Sequence, residues 1–396
     1  LKKAKATWSV WALTSVMLLS ACSSTEQQDK LPEDSDVKFN NASFSAREPA
    51  GGSPSEPMQN GQSSVGENFG ELASGITENS VDAPLESSSA VKPSTPNNTA
   101  DGEMSGSVFV LEDGRGLVLF GGSYSCGRHY AETLNEYKKR LGENVNVFSM
   151  VVPTAVSFYL PEKYSDMSAS EWDHIDYINS FLDGIIPVDA YSEIAKHTDE
   201  EIYLRTDNHW QSLGAYYAAR EFAKTALVDF PELNEENYEF ISREGYVGTL
   251  YGYSEEDQRI KDNPETFTYY KPKTEYSTDY YDYELEYQYT GALMLDTDNI
   301  DVTSWYLVNM CGDMYTVHVK TAVKNSRKLL IVKDSYGDAL PAFLTSSFED
   351  IWVVDMRHFE KSVTELCKSE GITDVLFAMN ASSAAGGNEE NLENIM

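Results

Sequence analysis

Two short segments hold residue types that could do chemistry together. One is Lys333-Asp334-Ser335-Tyr336-Gly337 and the other is Asp207-Asn208-His209-Trp210. A serine hydroxyl is a poor nucleophile until a base takes its proton, and an imidazole acting as that base needs a carboxylate to fix its tautomer. Ser335, His209 and Asp207 would supply one of each. Ser335 follows the apolar run from Lys328 to Val332 and precedes an apparent helix. In an open α/β sheet that edge is where ligands bind, and N–H groups at the start of the helix can receive a developing oxyanion. Read singly, neither segment is specific. Asp-Ser-x-Gly also serves as a helix cap and turn, and a lone histidine is as readily a surface or capping residue. The pair in one chain points further toward a nucleophile and its base.

The elements that must position these residues alternate between strand and helix patterns, which predicts an α/β fold. Ser107–Leu111 and Gly116–Phe120 read as a hairpin, and Arg128–Leu141 as an amphipathic helix. Val145–Val152, ended by Pro153, is apolar and β-branched, as a buried parallel strand should be. Ser168–Leu182 reads as a helix with Ser170 as its cap, Gly184–Val188 as a short strand, and Ile202–Leu204 as the strand leading into Asp207. A helix is expected over Ser212–Leu227. From about 234 to 293 the pattern dissolves into a tyrosine-rich insertion of loops and short strands, suited either to stacking on sugar rings or to a hairpin using the β propensity of tyrosine. Strands are expected over Ser304–Met310, Tyr315–Lys320, Lys328–Val332, Ile351–Val354 and Asp374–Met379. Helices are expected over Gly337–Thr345 and Glu360–Glu370, and the end of the chain, 384–396, reads as a flexible tail.

The amino-terminal part has a different composition. Lys2, Lys3 and Lys5 precede an apolar run from Trp8 to Leu19, which ends in Leu19-Ser20-Ala21-Cys22. About a dozen apolar residues are too few to span a bilayer, which needs about 20. The arrangement resembles a lipoprotein signal peptide over residues 1–22, with an ordinary secretory signal as the competing reading, and Cys22 is the expected lipidation site, tethering the protein to a membrane on the extracytoplasmic side. Residues 23–105 are rich in Ser, Gly, Pro and acidic residues with no apolar period, and are expected to be a disordered stalk. The domain after residue 105 carries 50 acidic and 23 basic residues. That argues strongly against a nucleic-acid partner, which needs a basic footprint. Cys126, Cys311 and Cys367 are odd in number and fit neither a disulfide framework nor zinc spacing. His129, His174, His197, His318 and His358 show no ligand spacing, so no metal and no cofactor is expected.

From about Leu117 to Ser382 the chain resembles the DHHW family of exported proteins, related to the SGNH-hydrolase-like proteins of alginate O-acetylation. The resemblance rests on Pro153, on Thr206-Asp207-Asn208-His209-Trp210 followed by Gly214-Ala215, on Lys333-Asp334-Ser335-Tyr336-Gly337, on Pro341, Phe343 and Leu344, and on Phe348-Glu349-Asp350-Ile351. It implies an SGNH-hydrolase-like parallel sheet flanked by helices over 106–383, with the tyrosine-rich insertion at 234–293. It also implies Ser335 as nucleophile, His209 as general base and Asp207 as orienting carboxylate. Asn208 stands where the family name has a histidine, and Lys333 where ordinary SGNH enzymes place glycine. The oxyanion candidates are the N–H groups of Ser335 and Gly312. Asp313 stands where an Asn is expected, and an acid beside an oxyanion would be unfavourable. Candidate substrate-lining residues are Trp210, Tyr336 and Ser123. Packing beneath the histidine loop competes as a reading of Trp210, and a tight turn at Gly121-Gly122-Ser123 competes as a reading of Ser123. The implied function is that of a membrane-anchored serine esterase or O-acyltransferase. It would act on acyl, above all acetyl, groups of a cell-surface or extracellular glycan, with a membrane-bound acyl donor as a possible partner. The alternatives are a non-catalytic glycan-binding or assembly lipoprotein and, as a third reading, a solute-binding lipoprotein.

Overall fold

The structure, a computed structural model, describes residues 98–396 and Pro93. The expectations for residues 1–22, Cys22 among them, and for most of the stalk lie outside the described residues. The strands are β1 Gly102–Ser105, β2 Val108–Leu111, β3 Gly116–Leu117, β4 Asn146–Val152, β5 Ile186–Pro187, β6 Tyr238–Tyr246, β7 Glu265–Pro272, β8 Tyr276–Tyr281, β9 Tyr287–Gly291, β10 Thr316–Thr321, β11 Lys328–Lys333, β12 Asp350–Asp355 and β13 Asp374–Asn380. The helices that pack on them are α1 Tyr124–Leu141, α2 Glu171–Asn179, α3 Ala190–Ala195, α4 Ser212–Thr225, α5 Leu340–Leu344, α6 Val363–Glu370 and α7 Glu389–Asn394.

The central sheet has eight strands in the order β5-β4-β13-β11-β12-β10-β8-β9. The first five pair in parallel. β10, β8 and β9 extend the sheet antiparallel. Every residue of β13, and all of β4 and β11 but their first residues, is buried. This is why these segments read as unbroken apolar runs rather than alternating ones: a parallel strand between two helical layers has no wet face. Phe148 pairs in register with Leu376, so Phe377 points to the opposite face. Phe148 packs on Phe222 of α4 with ring centroids 5.3 Å apart, and Phe377 on Tyr137 of α1 at 4.9 Å. Helices therefore cover both faces, and the α/β architecture expected from the sequence is the one observed.

Four local expectations need correction. The stalk does not run to residue 105, because β1 already pairs antiparallel with β2 from Gly102 onward. Ile202–Leu204 is not a strand of the sheet. It folds back on its own loop, with a bridge between Tyr203 and Trp210 and hydrogen bonds from Leu204 N to the His209 carbonyl and from Gln211 N to the Ile202 carbonyl. The strand expected over Ser304–Met310 is a 3-10 turn over Val302–Val308. The Asp301 carboxylate accepts from Thr303 N at 3.0 Å and the Asn309 amide donates to the Tyr306 carbonyl at 3.0 Å. These short side-chain bonds compete with a strand ladder, and β8 already fills the edge beside β10. Finally, 384–396 is not a loose tail. α7 packs there, Leu392 and Ile395 are buried, Tyr137 Oη donates to the Leu392 carbonyl at 2.6 Å, and the hydroxyls of Ser362 and Thr364 donate to the Met396 carbonyl. The apolar residues Ala384, Ala385, Leu392, Ile395 and Met396 stand among polar ones with too weak a period to betray it.

Candidate active site

Ser335 stands two residues beyond the end of β11, after Asp334. Parallel strands bring their carboxyl ends to one edge, and Asp334 ties β11 to its neighbour there. Its Oδ2 accepts from the backbone N–H and side-chain amide of Asn380, at 2.9 and 2.8 Å, and its Oδ1 accepts from Tyr336 N at 2.9 Å. Burial pushes the Asp334 carboxyl above its ordinary range, against the pull of these bonds. Gly337 allows the chain to turn sharply after the serine. A Cβ at this position would stand 2.3 Å from the Cβ of Lys333.

The loop formed by 202–211 carries the other two residues to the same edge. His209 Nε2 lies 2.9 Å from Ser335 Oγ, and His209 Nδ1 lies 2.7 Å from Asp207 Oδ1. Asp207 is 2% exposed, so a carboxylate there must have all its lone pairs engaged. Oδ1 also accepts from His209 N, and Oδ2 accepts from Tyr246 Oη at 2.9 Å, Thr249 N at 2.9 Å and Thr249 Oγ1 at 3.0 Å. Burial alone would raise its pKa. The charge of His209 and the bonds from His209, Thr249 and Tyr246 outweigh that, so the carboxyl is held well below the usual carboxylate range. Gly248 permits this crowding, since a Cβ on it would fall 2.4 Å from Asp207 Oδ2. Glu265 fixes the loop from behind, accepting from Arg205 N at 2.8 Å, Thr206 N at 2.7 Å and Thr206 Oγ1 at 2.6 Å.

The other predicted residues divide. Tyr336, itself almost fully buried, borders a small cleft whose walls include Thr154, Asp207, Asn208 and Asn380 but neither Ser335 nor His209. Trp210 does not line it. The indole is fully buried and donates from Nε1 to Tyr306 Oη at 3.2 Å, beneath the histidine loop. Ser123 is not in the cleft wall either. It precedes α1, its N–H donates to the Ala385 carbonyl, and its hydroxyl lies 2.7 Å from Ser125 Oγ. Gly312 cannot serve as an oxyanion donor in this conformation, because its N–H is spent within its own turn on the Asn309 carbonyl at 2.7 Å. Asp313 is not a bare acid facing the nucleophile. Its carboxylate lies 2.7 Å from Lys333 Nζ and 2.6 Å from Arg357 Nη2. The Lys333 ammonium is fully buried and also lies 2.5 Å from Asp338 Oδ1 and 2.8 Å from Asp355 Oδ2. The lysine that replaces the usual glycine thus anchors an ionic cluster under the serine turn. Three carboxylates share two cations there. Burial, and then repulsion from Asp313, push Asp338 well above the ordinary range, while Asp313 is held below it against burial by Lys333 and Arg357.

Tyr246, Thr249 and Tyr306 are site residues that the sequence reading missed. Each lies about 40 residues or more from His209, on segments with no catalytic motif. Gly248 beside Thr249 was the only local mark, a residue needed for close approach.

Ser335, His209 and Asp207 thus form one hydrogen-bonded set at the carboxyl edge of the parallel part of the sheet of an α/β protein. The chain belongs to the DHHW family, whose profile, described as DHHW protein, it matches over residues 36–354. A DHHW family protein from Eubacterium siraeum, known from its crystal structure, is 43% identical with a TM-score of 0.71, covering 75% of this chain and 98% of its own. PatB1 of Bacillus cereus, in a structure with a sulfonyl adduct, is 19% identical with a TM-score of 0.60, over 74% of this chain and 99% of that one. At that identity the likeness is one of fold. The O-acetyltransferase domain of Pseudomonas putida AlgJ is a more distant match, 12% identical with a TM-score of 0.36, over 72% of this chain and 92% of its own. No curated protein matches the chain.

Proposed function

We propose that this protein is a serine esterase or O-acyltransferase acting on acyl groups of a cell-surface or extracellular glycan, anchored to the membrane through Cys22. The observation that carries the chemistry is the continuous relay from Ser335 Oγ through His209 to Asp207, at 2.9 and 2.7 Å. His209 Nε2 takes the serine proton as Oγ attacks the ester carbonyl. Asp207 holds the Nδ1–H and stabilises the imidazolium that forms. The tetrahedral intermediate collapses, the leaving alkoxide takes the proton back from His209, and the acyl group stays on Ser335. Water or a sugar hydroxyl, deprotonated by the same imidazole, then accepts the acyl group. Esterase and transferase share this first half. The anchoring part is supported by the basic, apolar and Leu19-Ser20-Ala21-Cys22 sequence at the start of the chain, and loss of incorporated fatty acid in Cys22→Ser would test it.

The test of the chemistry is labelling of the full chain with a serine-directed fluorophosphonate, with a sulfonyl fluoride as second probe, followed by peptide mapping. An adduct at Ser335 that disappears in His209→Ala is the expected result. No adduct, under conditions that label a control esterase, would overturn it. One observation favours the second reading, a glycan-binding lipoprotein without catalysis: the Gly312 N–H is already engaged, which removes one expected oxyanion donor. Glycan affinity retained in Ser335→Ala, with no adduct in the parent chain, would select that reading.

A further inference from the structure

The face of the His209 ring is occupied. Tyr306 lies flat against it, with ring centroids 3.8 Å apart and planes within 7° of parallel. The same phenol donates to the Ser335 carbonyl at 3.1 Å and accepts from Trp210 Nε1 at 3.2 Å. One side chain therefore touches the base, the backbone of the nucleophile and the residue that follows the base. Its neighbour Trp305 stacks on Tyr246, with centroids 5.8 Å apart at 12°, and Tyr246 donates to Asp207. Two consecutive aromatic residues of the 302–308 turn thus brace both charge-bearing members of the relay. Tyr306 is 7% exposed, and burial, followed by the negative charge of Asp338, pushes its phenol well above the ordinary tyrosine range. The ring against His209 is therefore a neutral π face with its hydroxyl already committed.

A face-stacked phenol acts differently on the two states of an imidazole. It packs against the neutral ring and holds its plane, and it attracts the cation more strongly through its quadrupole. The imidazolium is the state His209 must reach when it takes the serine proton. We propose that Tyr306 is a positioning residue that locks the plane of His209 toward Ser335 and stabilises its protonated form, so that the 302–308 turn is part of the catalytic apparatus. This rests on the serine-nucleophile reading above for its catalytic meaning, but its physical content does not. The titratable groups facing the imidazole are Asp207 from its own loop, Tyr306 from this turn and Tyr336 from the turn after β11, whose ring centroid is 5.5 Å away. Substitution at 306 leaves the other two in place.

The experiment is an NMR titration of His209 in the full chain, with the signal assigned by its loss in His209→Gln. In Tyr306→Leu the loss of cation–π attraction should move the His209 titration midpoint down by about half a unit relative to the parent chain. Tyr306→Phe, which keeps the ring and loses the hydroxyl, should titrate like the parent chain. Because a leucine in a buried stack can unsettle the fold, Tyr306→Trp supplies a second test, and its larger π face should keep the parent value. An unshifted titration in a folded Tyr306→Leu chain overturns the proposal, as does an equal downward shift in all three variants. Fluorophosphonate labelling of the same parent sample tests the nucleophile separately. Labelling without a Tyr306 effect would defeat the stacking role alone, and a Tyr306 effect without labelling would defeat the esterase reading alone.

Discussion

Asp207 shows how a single residue is tuned by groups far from it in sequence. Its carboxylate is buried and accepts from His209, Thr249 and Tyr246, and it is held well below the usual range. Asp207→Asn keeps the shape but not the charge, so the histidine loses both its tautomer lock and its partner cation stabilisation. The expected loss in the rate of Ser335 labelling is about 10³–10⁴-fold, the scale seen when the carboxylate of such a relay is neutralised. The sign of the stability effect follows from the depressed folded pKa. The contribution of Asp207 is present above the unfolded carboxyl value of about 4 and is lost as pH falls through the lower folded value. Urea unfolding should therefore show Asp207→Asn less stable than the parent at pH 7, with the gap closing below about pH 4. Tyr246→Phe should cost about 1.5–3 kcal/mol in the same assay, the worth of one hydrogen bond to a charged group. The three relay residues were legible from their types and their places beside apolar runs. Their supports were not, because a tyrosine or threonine that donates to a carboxylate 40 residues away looks like any other tyrosine or threonine.

At the scale of elements, the ends of β11 and β12 and the turn at 310–314 meet in the Lys333, Arg357, Asp313, Asp338 and Asp355 cluster. One negative charge is in surplus there, and Asp338 is the group pushed toward protonation, by burial above all. A raised folded pKa means that the wild-type residue costs nothing below its unfolded value and loses stability as pH rises toward the folded one. Asp338→Asn should therefore be indistinguishable from the parent near pH 4 and more stable by about 1 kcal/mol or more at pH 8, with Lys333 still paired to Asp313 and Asp355. Thermal melts across that range would read it, and a variant less stable at every pH would contradict it. The carboxyl-terminal helix gives a second prediction. Deleting 386–396 removes buried Leu392 and Ile395 from the face of α1 and α6. At about 1.5–3 kcal/mol per buried aliphatic side chain, the loss should reach roughly 3–6 kcal/mol, where a true tail would cost nothing. The long central strands and helices are legible in the sequence because burial on two faces, or on one stripe, writes a period into the residues. Residues 304–310 read as a strand and 384–396 as a tail because capping bonds and docking onto a distant helix write none.

At the scale of the whole domain, the 50 acidic and 23 basic residues after residue 105 would oppose the approach of a polyanion to the cleft. A polyanionic glycan would meet long-range repulsion that salt screens over about 10 Å at 0.1 M. Turnover or binding of an acidic acylated glycan should accordingly rise several-fold between 0.01 and about 0.3 M salt, while a neutral glycan of the same backbone should show little change. Equal salt dependence for both would mean that local charge, not the global field, governs access.

Composition and periodicity pointed to the class of fold, to an acidity that argues against nucleic acid, and to a Ser, a His and an Asp of the types a relay needs, while the roles of those three came from the family resemblance. Only the tertiary structure decided whether those three would meet, with which supports, and which neighbours would drop out. It placed His209 within hydrogen-bonding distance of Ser335, 126 positions along the chain, by folding 202–211 into a hairpin-like loop rather than a strand. It spent the Gly312 N–H on a turn, turned Asp313 into half of an ion pair, and laid Tyr306 on the histidine. These are long-range contacts, and their outcome depends on how segments distant in the chain pack against one another, something no local stretch of sequence records.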